Sequence, residues 1–189
     1  MRHILTGAAA SGAIATAACQ KPAETNADAT ATNGMTVNNA MANDMVMAPM
    51  AASDFASTIA ASDMFEIASG KLAQTMAMNE ACRKFGAMLV TDHTKSTAML
   101  KSAAAAGPAV TLPTTLPAEL QAKLDALKAA KGAAFDTLFN AQQKAGHSKA
   151  LNALKSYSSS GDVVSLKTFA SNAAPVVQAH LDMLNSMKM

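Results

Sequence analysis

Residues 163–187 read VVSLKTFASNAAPVVQAHLDMLNSM, and this stretch carries the clearest periodicity in the chain. Its apolar side chains and its histidine recur at intervals of three and four residues: Leu166, Phe169, Ala173, Val177, His180, Leu184 and Met187. That spacing places all of them on one face of an α-helix. The stretch therefore predicts a long amphipathic helix that buries this face against other helices.

The composition of the chain favours helices elsewhere as well. Its 189 residues are 50% hydrophobic but only 4% aromatic, so Ala and Met, which are good helix formers, supply much of the apolar surface. We find no run with the period-two alternation of a half-buried strand. The predicted fold class is all-α, and the composition argues against a large β-fold.

Capping residues and helix breakers divide residues 53–189 into separate helices. We predict four long helices and one short helix, over residues 53–78, 80–106, 118–131, 133–159 and 163–187. The pair Ser53-Asp54 and the side chains of Asn79 and Asp162 are placed to cap the first, second and last of these helices.

Three prolines make residues 107–117 an extended connector between the second helix and the short one. The connector and the short helix together are long enough to cross a helical bundle lengthwise. We therefore predict a four-helix bundle of ferritin-like topology with one short extra helix, and a plain up-and-down bundle is the alternative.

The N-terminal segment is typical of an exported protein. Arg2 is followed by uncharged, Ala-rich residues, which predicts an export signal over residues 1–18. The sequence Ala17-Ala18-Cys19 is similar to a bacterial lipobox, in which the signal is cut before a cysteine that carries lipid. An ordinary cleaved signal and a chance Ala-rich start are the alternatives.

Lipid attachment at Cys19 would place the protein in the periplasm of a Gram-negative bacterium. Gln20, rather than Asp, follows the cysteine, which favours sorting to the outer membrane. The expected partner is therefore that membrane, through the lipid anchor, while protein partners stay undefined.

The formal charge of +2 is spread thinly, which argues against nucleic-acid binding. We interpret Cys82 as a small buried hydrophobe, with a redox role as the alternative.

Residues 19–52 predict a disordered tether, because they are rich in Met, Asn and Ala and lack Leu, Ile and aromatic residues. Five methionines fall between Met35 and Met50. Thioethers are soft ligands that suit Cu(I), so copper capture by this tether is one hypothesis for function. The alternative interpretation is that the methionines have no function and reflect only the low sequence complexity of a polar linker.

Three histidines and one glutamate fall on different long helices of the predicted bundle. Glu66 lies thirteen residues before Asn79, and His93 lies fourteen residues after it. In an antiparallel pair, both side chains would lie about 20 Å from the turn. His147 and His180 lie at comparable depths, roughly 21 and 28 Å from the turn between the last two helices. All four residues are therefore predicted to meet near mid-bundle.

A carboxylate with three imidazoles suits one divalent transition metal ion such as zinc, iron or copper. We therefore predict a metal site for envelope metal handling or stress protection at Glu66, His93, His147 and His180. Asp92 and Asp182 are candidates for accepting hydrogen bonds from the imidazoles. The alternative is a structural polar core, in a non-catalytic structural or interaction lipoprotein.

The sequence carries no Glu-x-x-His motif of di-iron bundles and no nucleophile or phosphate-binding motif, so we predict that the protein is not an enzyme.

Several short stretches recur in an order that is typical of one family. They are DMFEIASGKLA (63–73), MLVTDHTK (88–95), VTLP (110–113), Phe135-Asp136, Gly146-His147 and Ala174-Pro175 leading to His180-Leu181. Together they resemble the ferritin-like domain-of-unknown-function family 4142, often labelled as an outer-membrane protein. The resemblance implies an exported bacterial helical bundle of unestablished activity, with Glu66 and the three histidines at its recurring polar positions. Cys82 and Gly86 stand where bulkier residues are common.

Overall fold

A computed structural model of the chain describes residues 50–108 and 110–188. These residues contain no β-strand and form five α-helices: α1 (Ala52–Met76), α2 (Glu80–Ala105), α3 (Ala118–Ala129), α4 (Ala133–Ser160) and α5 (Val164–Ser186). The all-α prediction is confirmed, and every helix bound lies within about two residues of its predicted position. Among these helices, none combines the length and the apolar character that crossing a membrane requires.

The predicted export signal, Cys19 and most of the Met-rich tether lie outside the described residues. The structure describes only the last part of the tether. There Met50 is partly buried and packs against the hydrophobic core, and α1 begins two residues later at Ala52. The copper-capture hypothesis for the tether therefore stays a prediction.

Asn79 caps α2 as its sequence position predicts. Its side-chain oxygen accepts a hydrogen bond from the backbone N–H of Ala81 at 2.8 Å. This bond satisfies one of the N–H groups that the first turn of a helix leaves without an internal partner. The turn between α1 and α2 is thus set by a local contact that the sequence reveals.

The cap predictions for the first and last helices are wrong. The pair Ser53-Asp54 lies inside α1, whose N-cap is Ala51 and makes no side-chain cap bond. Asp162 instead accepts a hydrogen bond from the Tyr157 hydroxyl at 2.8 Å. The Tyr157 hydroxyl thus occupies the carboxylate that would otherwise cap α5. A capping rule that considers only neighbouring residues does not include such a side-chain contact.

The four long helices pack side by side, with α1 against α2, α4 against α5, α1 against α4 and α2 against α5. The ring of Phe55 stacks on that of Tyr157 at 4.0 Å, so the start of α1 lies beside the end of α4. Asp136, at the start of α4, bonds to Asn79 in the turn between α1 and α2. Helices α1 and α4 are therefore antiparallel, and the segment joining α2 to α4 runs along the helices, with α3 packed on α1 and α4.

Two glycines lie at the contact between α1 and α2. A Cβ added at Gly86 would lie 2.7 Å from the carbonyl oxygen of Gly70 and 2.8 Å from the Cβ of Ala73. A Cβ added at Gly70 would in turn lie 2.7 Å from the carbonyl oxygen of Gly86. The two backbones approach so closely that only hydrogen fits at these positions, which explains the small residue at position 86.

The core is divided into two hydrophobic clusters by buried polar side chains. One cluster is built around Phe55, Ile59, Leu154, Tyr157, Leu166 and Phe169. The other is built around Phe65, Phe85, Leu89, Phe135, Phe139 and Leu184. The buried polar side chains between them, which we call the polar layer, are Asp63, Glu66, His93, Gln143, His147 and His180. Along each long helix, members of the polar layer lie where one cluster gives way to the other.

Cys82 belongs to the second cluster and is fully buried. Its sulfur lies 3.6 Å from that of Met187. Burial, assisted by the charge of Asp136, raises the pKa of the Cys82 thiol to about 11, although Arg83 acts in the opposite direction. Because the thiolate is the reactive form, this environment fits a small buried hydrophobe better than a redox centre.

Asp136 holds the turn between α1 and α2 through both carboxylate oxygens. They accept hydrogen bonds from the backbone N–H groups of Met78 and Asn79, at 3.1 and 2.8 Å, and the residue is buried. We expect Asp136→Ala to lower the free energy of unfolding by about 2 kcal/mol, because both amides lose a charged acceptor. Urea denaturation followed by circular dichroism measures this change. Asp54→Ala, at an exposed carboxylate, is the control, and an equal loss in both variants would contradict the assigned role.

Candidate metal centre

The structure brings His93, His147 and His180 together in the polar layer, from α2, α4 and α5 respectively. All three side chains are buried. One ring nitrogen of each lies within 4.8 Å of the corresponding nitrogens of the other two. This spacing allows three imidazoles to bind a single ion at the metal–nitrogen distances of about 2.0–2.1 Å found in proteins.

Each of these histidines uses one ring nitrogen for a hydrogen bond that points away from the other two. The acceptors are Asp63 Oδ1 for His93 Nδ1 (2.7 Å), the Gln143 carbonyl oxygen for His147 Nδ1 (2.9 Å) and Asp92 Oδ2 for His180 Nε2 (3.1 Å). A carboxylate or carbonyl oxygen can only accept, so these nitrogens carry the hydrogen. A neutral imidazole then presents a lone pair at its other nitrogen, and such outer hydrogen bonds are typical of metal-binding histidines.

The remaining ring nitrogens face one another without a donor between them. Nε2 of His93 is buried and has no hydrogen-bond partner. Nε2 of His147 lies 3.3 Å from Nδ1 of His180. When both outer nitrogens carry their hydrogens, this short contact joins two lone pairs, which repel each other. A cation among the three nitrogens would convert that repulsion into coordination.

Glu66 lies beside this cluster but on a different side of the His147 ring. Its Oε1 is 3.8 Å from Nδ1 of His147, the nitrogen that already donates to the Gln143 carbonyl. Among the described residues, the group whose ligand atoms all lie within 4.8 Å consists of the three histidines alone. The structure therefore places Glu66 as a buried neighbour of His147, outside the group of three histidines.

A model of the family described as "Domain of unknown function (DUF4142)" matches residues 36–187. The chain belongs to the DUF4142 family. Neither a curated protein nor a solved structure matches it. The family resemblance of the sequence motifs is thus confirmed. Because the family description names no activity, the function of this DUF4142 domain has to be argued from its site.

Burial is the largest single influence on the pKa values of Glu66 and the three histidines in this DUF4142 domain. It raises the pKa of the Glu66 carboxyl to about 7, although the charge of His93 opposes the rise. It lowers the pKa of His147 to about 3 and also lowers that of His180, despite the hydrogen bond to Asp92. Burial acts to lower the pKa of His93 too, but the neighbouring carboxylates outweigh it and the pKa is raised. The neighbouring carboxylates thus distinguish His93 from the other two histidines, whose pKa values are lowered.

Phe85 closes the histidine cluster on the side of the second hydrophobic cluster. Its ring centroid lies 6.0 Å from that of His147 and 5.9 Å from that of His180. The ring is itself buried. An aromatic wall of this kind keeps water away from that side and holds the imidazoles in place.

Asp63 is a partner of His93 that the sequence pattern did not predict. The spacing of three residues between Asp63 and Glu66 puts both on one face of α1, and this signal could have identified it. The expectation for Asp182 is wrong, because it is exposed and accepts a hydrogen bond from Gln178. A residue two positions after His180 points to the opposite side of the helix.

Proposed function

We propose that this DUF4142 domain binds one divalent transition-metal ion through His93, His147 and His180. The observation that carries the proposal is the convergence of three buried imidazole nitrogens within 4.8 Å of one another. Each imidazole is oriented by an acceptor on its other nitrogen. His93 Nε2 is buried and has no hydrogen-bond partner among the described residues, so its lone pair can bind a cation.

The donor set narrows the choice of metal. Three neutral imidazoles are borderline ligands that suit zinc, iron and copper better than magnesium or calcium, which prefer oxygen. Three carboxylates flank the cluster: Asp63 and Asp92 are bonded to the imidazoles, and Glu66 lies beside them. Their negative charge favours the binding of a dication in this buried site. Once bound, such an ion supplies a Lewis acid held inside the protein.

We further propose that the helices form a ferritin-like four-helix bundle. The supporting observation is the antiparallel arrangement of α1 and α4, which makes the segment between α2 and α4 run along the helices. In such a bundle, side chains from facing helices commonly build the metal site in the core.

The place of action that we propose is the bacterial envelope. The lipobox-like sequence ending at Cys19 and the Ala-rich segment before it support export and lipid anchoring in the outer membrane. A metal-binding domain held there would serve envelope metal handling or stress protection. Mass spectrometry of the mature N-terminus tests the lipid attachment.

Elemental analysis of the protein purified from its native compartment tests the metal proposal. We expect about one zinc, iron or copper ion per chain, and we expect its removal by a chelator to lower Tm. At a free metal concentration of 100 times Kd, binding adds about 2.7 kcal/mol of stability, which corresponds to a Tm difference of roughly 5–10 °C for a domain of this size.

The control variant is Asp182→Asn, at the exposed carboxylate that bonds only to Gln178 in the described structure. It should retain the full metal content. A substoichiometric metal content that His93→Ala leaves unchanged would overturn the proposal. The polar layer would then be a structural device that fixes how the helices pack, a role that its outward hydrogen bonds can fulfil without an ion.

A further inference from the structure

A cavity of about 250 Å³ reaches the histidine cluster, and Phe85 is not among the residues that line it. His93, His180 and their carboxylate partners line its inner end. Apolar side chains form most of its wall: Ile59, Met99, Phe169, Ala173, Val176 and Val177. Ser62, Lys95, Ser96 and Asn172 also line the cavity, but most of its lining surface is apolar.

The histidine with the unpartnered nitrogen is one of the residues that line this cavity. His93 is only 6% exposed, its Nε2 has no hydrogen-bond partner, and the residue lines the cavity beside His180. His147 does not line the cavity and lies against Phe85 instead. A metal ion at the three nitrogens would therefore lie between the Phe85 ring and the two histidines that line this space.

We propose that the bound metal keeps one coordination position open to the cavity and binds there a small molecule with an apolar body and one neutral nitrogen donor, such as an imidazole or an amine. This inference rests on the proposed metal site. Three protein ligands with a fourth position left open are typical of metal sites that bind an exogenous molecule.

Charge and size define the class of ligand. The two imidazoles that line the cavity bond to the carboxylates of Asp63 and Asp92, whose two charges balance a dication. Lys95 also lines the cavity, but its ammonium lies 3.8 Å from Asp92 Oδ1 and its side chain is 71% exposed, so water screens its charge. An anionic donor would add a negative charge to a buried site and would be disfavoured relative to a neutral one. The apolar wall favours a hydrocarbon or aromatic body, and 250 Å³ is below the roughly 300–1,000 Å³ of pockets for drug-sized ligands.

Visible spectroscopy of the full chain loaded with Co(II) tests the inference, with 4-phenylimidazole as the neutral probe and azide as the anionic one. We expect 4-phenylimidazole to shift the d–d bands saturably and to bind at least about 10-fold more tightly than azide. Metal content after dialysis must stay constant, so that the spectral change reports coordination and not extraction of the metal.

Two variants locate the binding. Ala173→Phe fills the cavity wall, and Val176→Trp blocks it from a position that is 45% exposed, where the fold tolerates a larger side chain. Each should weaken 4-phenylimidazole binding at least about 10-fold while the Co(II) content stays at one per chain. Ser171→Phe, at an exposed position of α5 that does not line the cavity, is the size-matched control and should bind the probe normally.

The outcomes separate this inference from the metal proposal. If Co(II) binds stoichiometrically but neither probe changes the spectrum, the position is closed and only the inference fails. If azide binds more tightly than 4-phenylimidazole, or if both cavity variants bind the probe as the wild type does, the ligand class or the location is wrong. If no metal binds at all, the proposed function and the inference fail together.

Discussion

Replacing His147 with alanine is expected to lower the affinity for the metal ion by more than about 100-fold. Loss of an outer-shell hydrogen-bond partner alone typically lowers metal affinity 10–100-fold, and this variant removes a ligand itself. The side chain is buried, and its Nε2 lies 3.3 Å from His180 Nδ1. Competition against a chromogenic chelator, with zinc as the ion, measures the change, and circular dichroism confirms that the variant stays helical.

The matched variant is Glu66→Gln, which keeps the shape of the side chain and removes its charge. Because Glu66 approaches His147 at the nitrogen that faces away from the cluster, we expect this variant to keep stoichiometric zinc. Its affinity should fall by about 10-fold or less, as for loss of a charged neighbour. A loss as large as that of His147→Ala would show that Glu66 is a ligand after all, as the sequence predicts.

Gly86→Ala is expected to lower the free energy of unfolding by about 3 kcal/mol or more. The added methyl group would lie 2.7 Å from the carbonyl oxygen of Gly70 and 2.8 Å from the Cβ of Ala73, so α1 and α2 must move apart. Overpacking of this kind typically costs about 1–3 kcal/mol and sometimes more. Chemical denaturation of the metal-free protein measures the effect without a contribution from the ion.

The sign of the Gly86→Ala effect makes the test specific. In an exposed helix, glycine to alanine stabilises by about 1 kcal/mol, so intrinsic propensity predicts the opposite result. Ser102→Ala, at an exposed site of the same helix, is the control and should change stability by less than about 0.5 kcal/mol. A Gly86→Ala protein as stable as the wild type would mean that the helices are not in close contact at this point.

The helices could be predicted closely because their ends carry local signals. Pro117 precedes α3, Gly132 at φ 58° separates α3 from α4, and Asn79 caps α2. The depth of the three histidines followed from counting residues from the turns, since the rise per residue of a helix is fixed. The resemblance to the family also implied that Glu66 and the three histidines occupy its recurring polar positions.

Contacts between helices could not be predicted in the same way. The bond from His93 to Asp63 depends on how α1 and α2 are rotated about their axes, which residue counting leaves open. The same rotation decides that Glu66 approaches His147 at Nδ1 rather than at Nε2. Gly86 was unexplained for a related reason, because its function is to fit against Gly70, a residue on another helix.

The division of the core by the polar layer has a thermodynamic consequence. Side chains such as Phe55 and Phe139 belong to different hydrophobic clusters and share no neighbours within them. The energetic effects of changing such residues should therefore add independently, whereas changes within one cluster should be coupled. Each half of the protein can then vary its apolar side chains on its own, while the histidines and carboxylates between them are constrained by both halves at once.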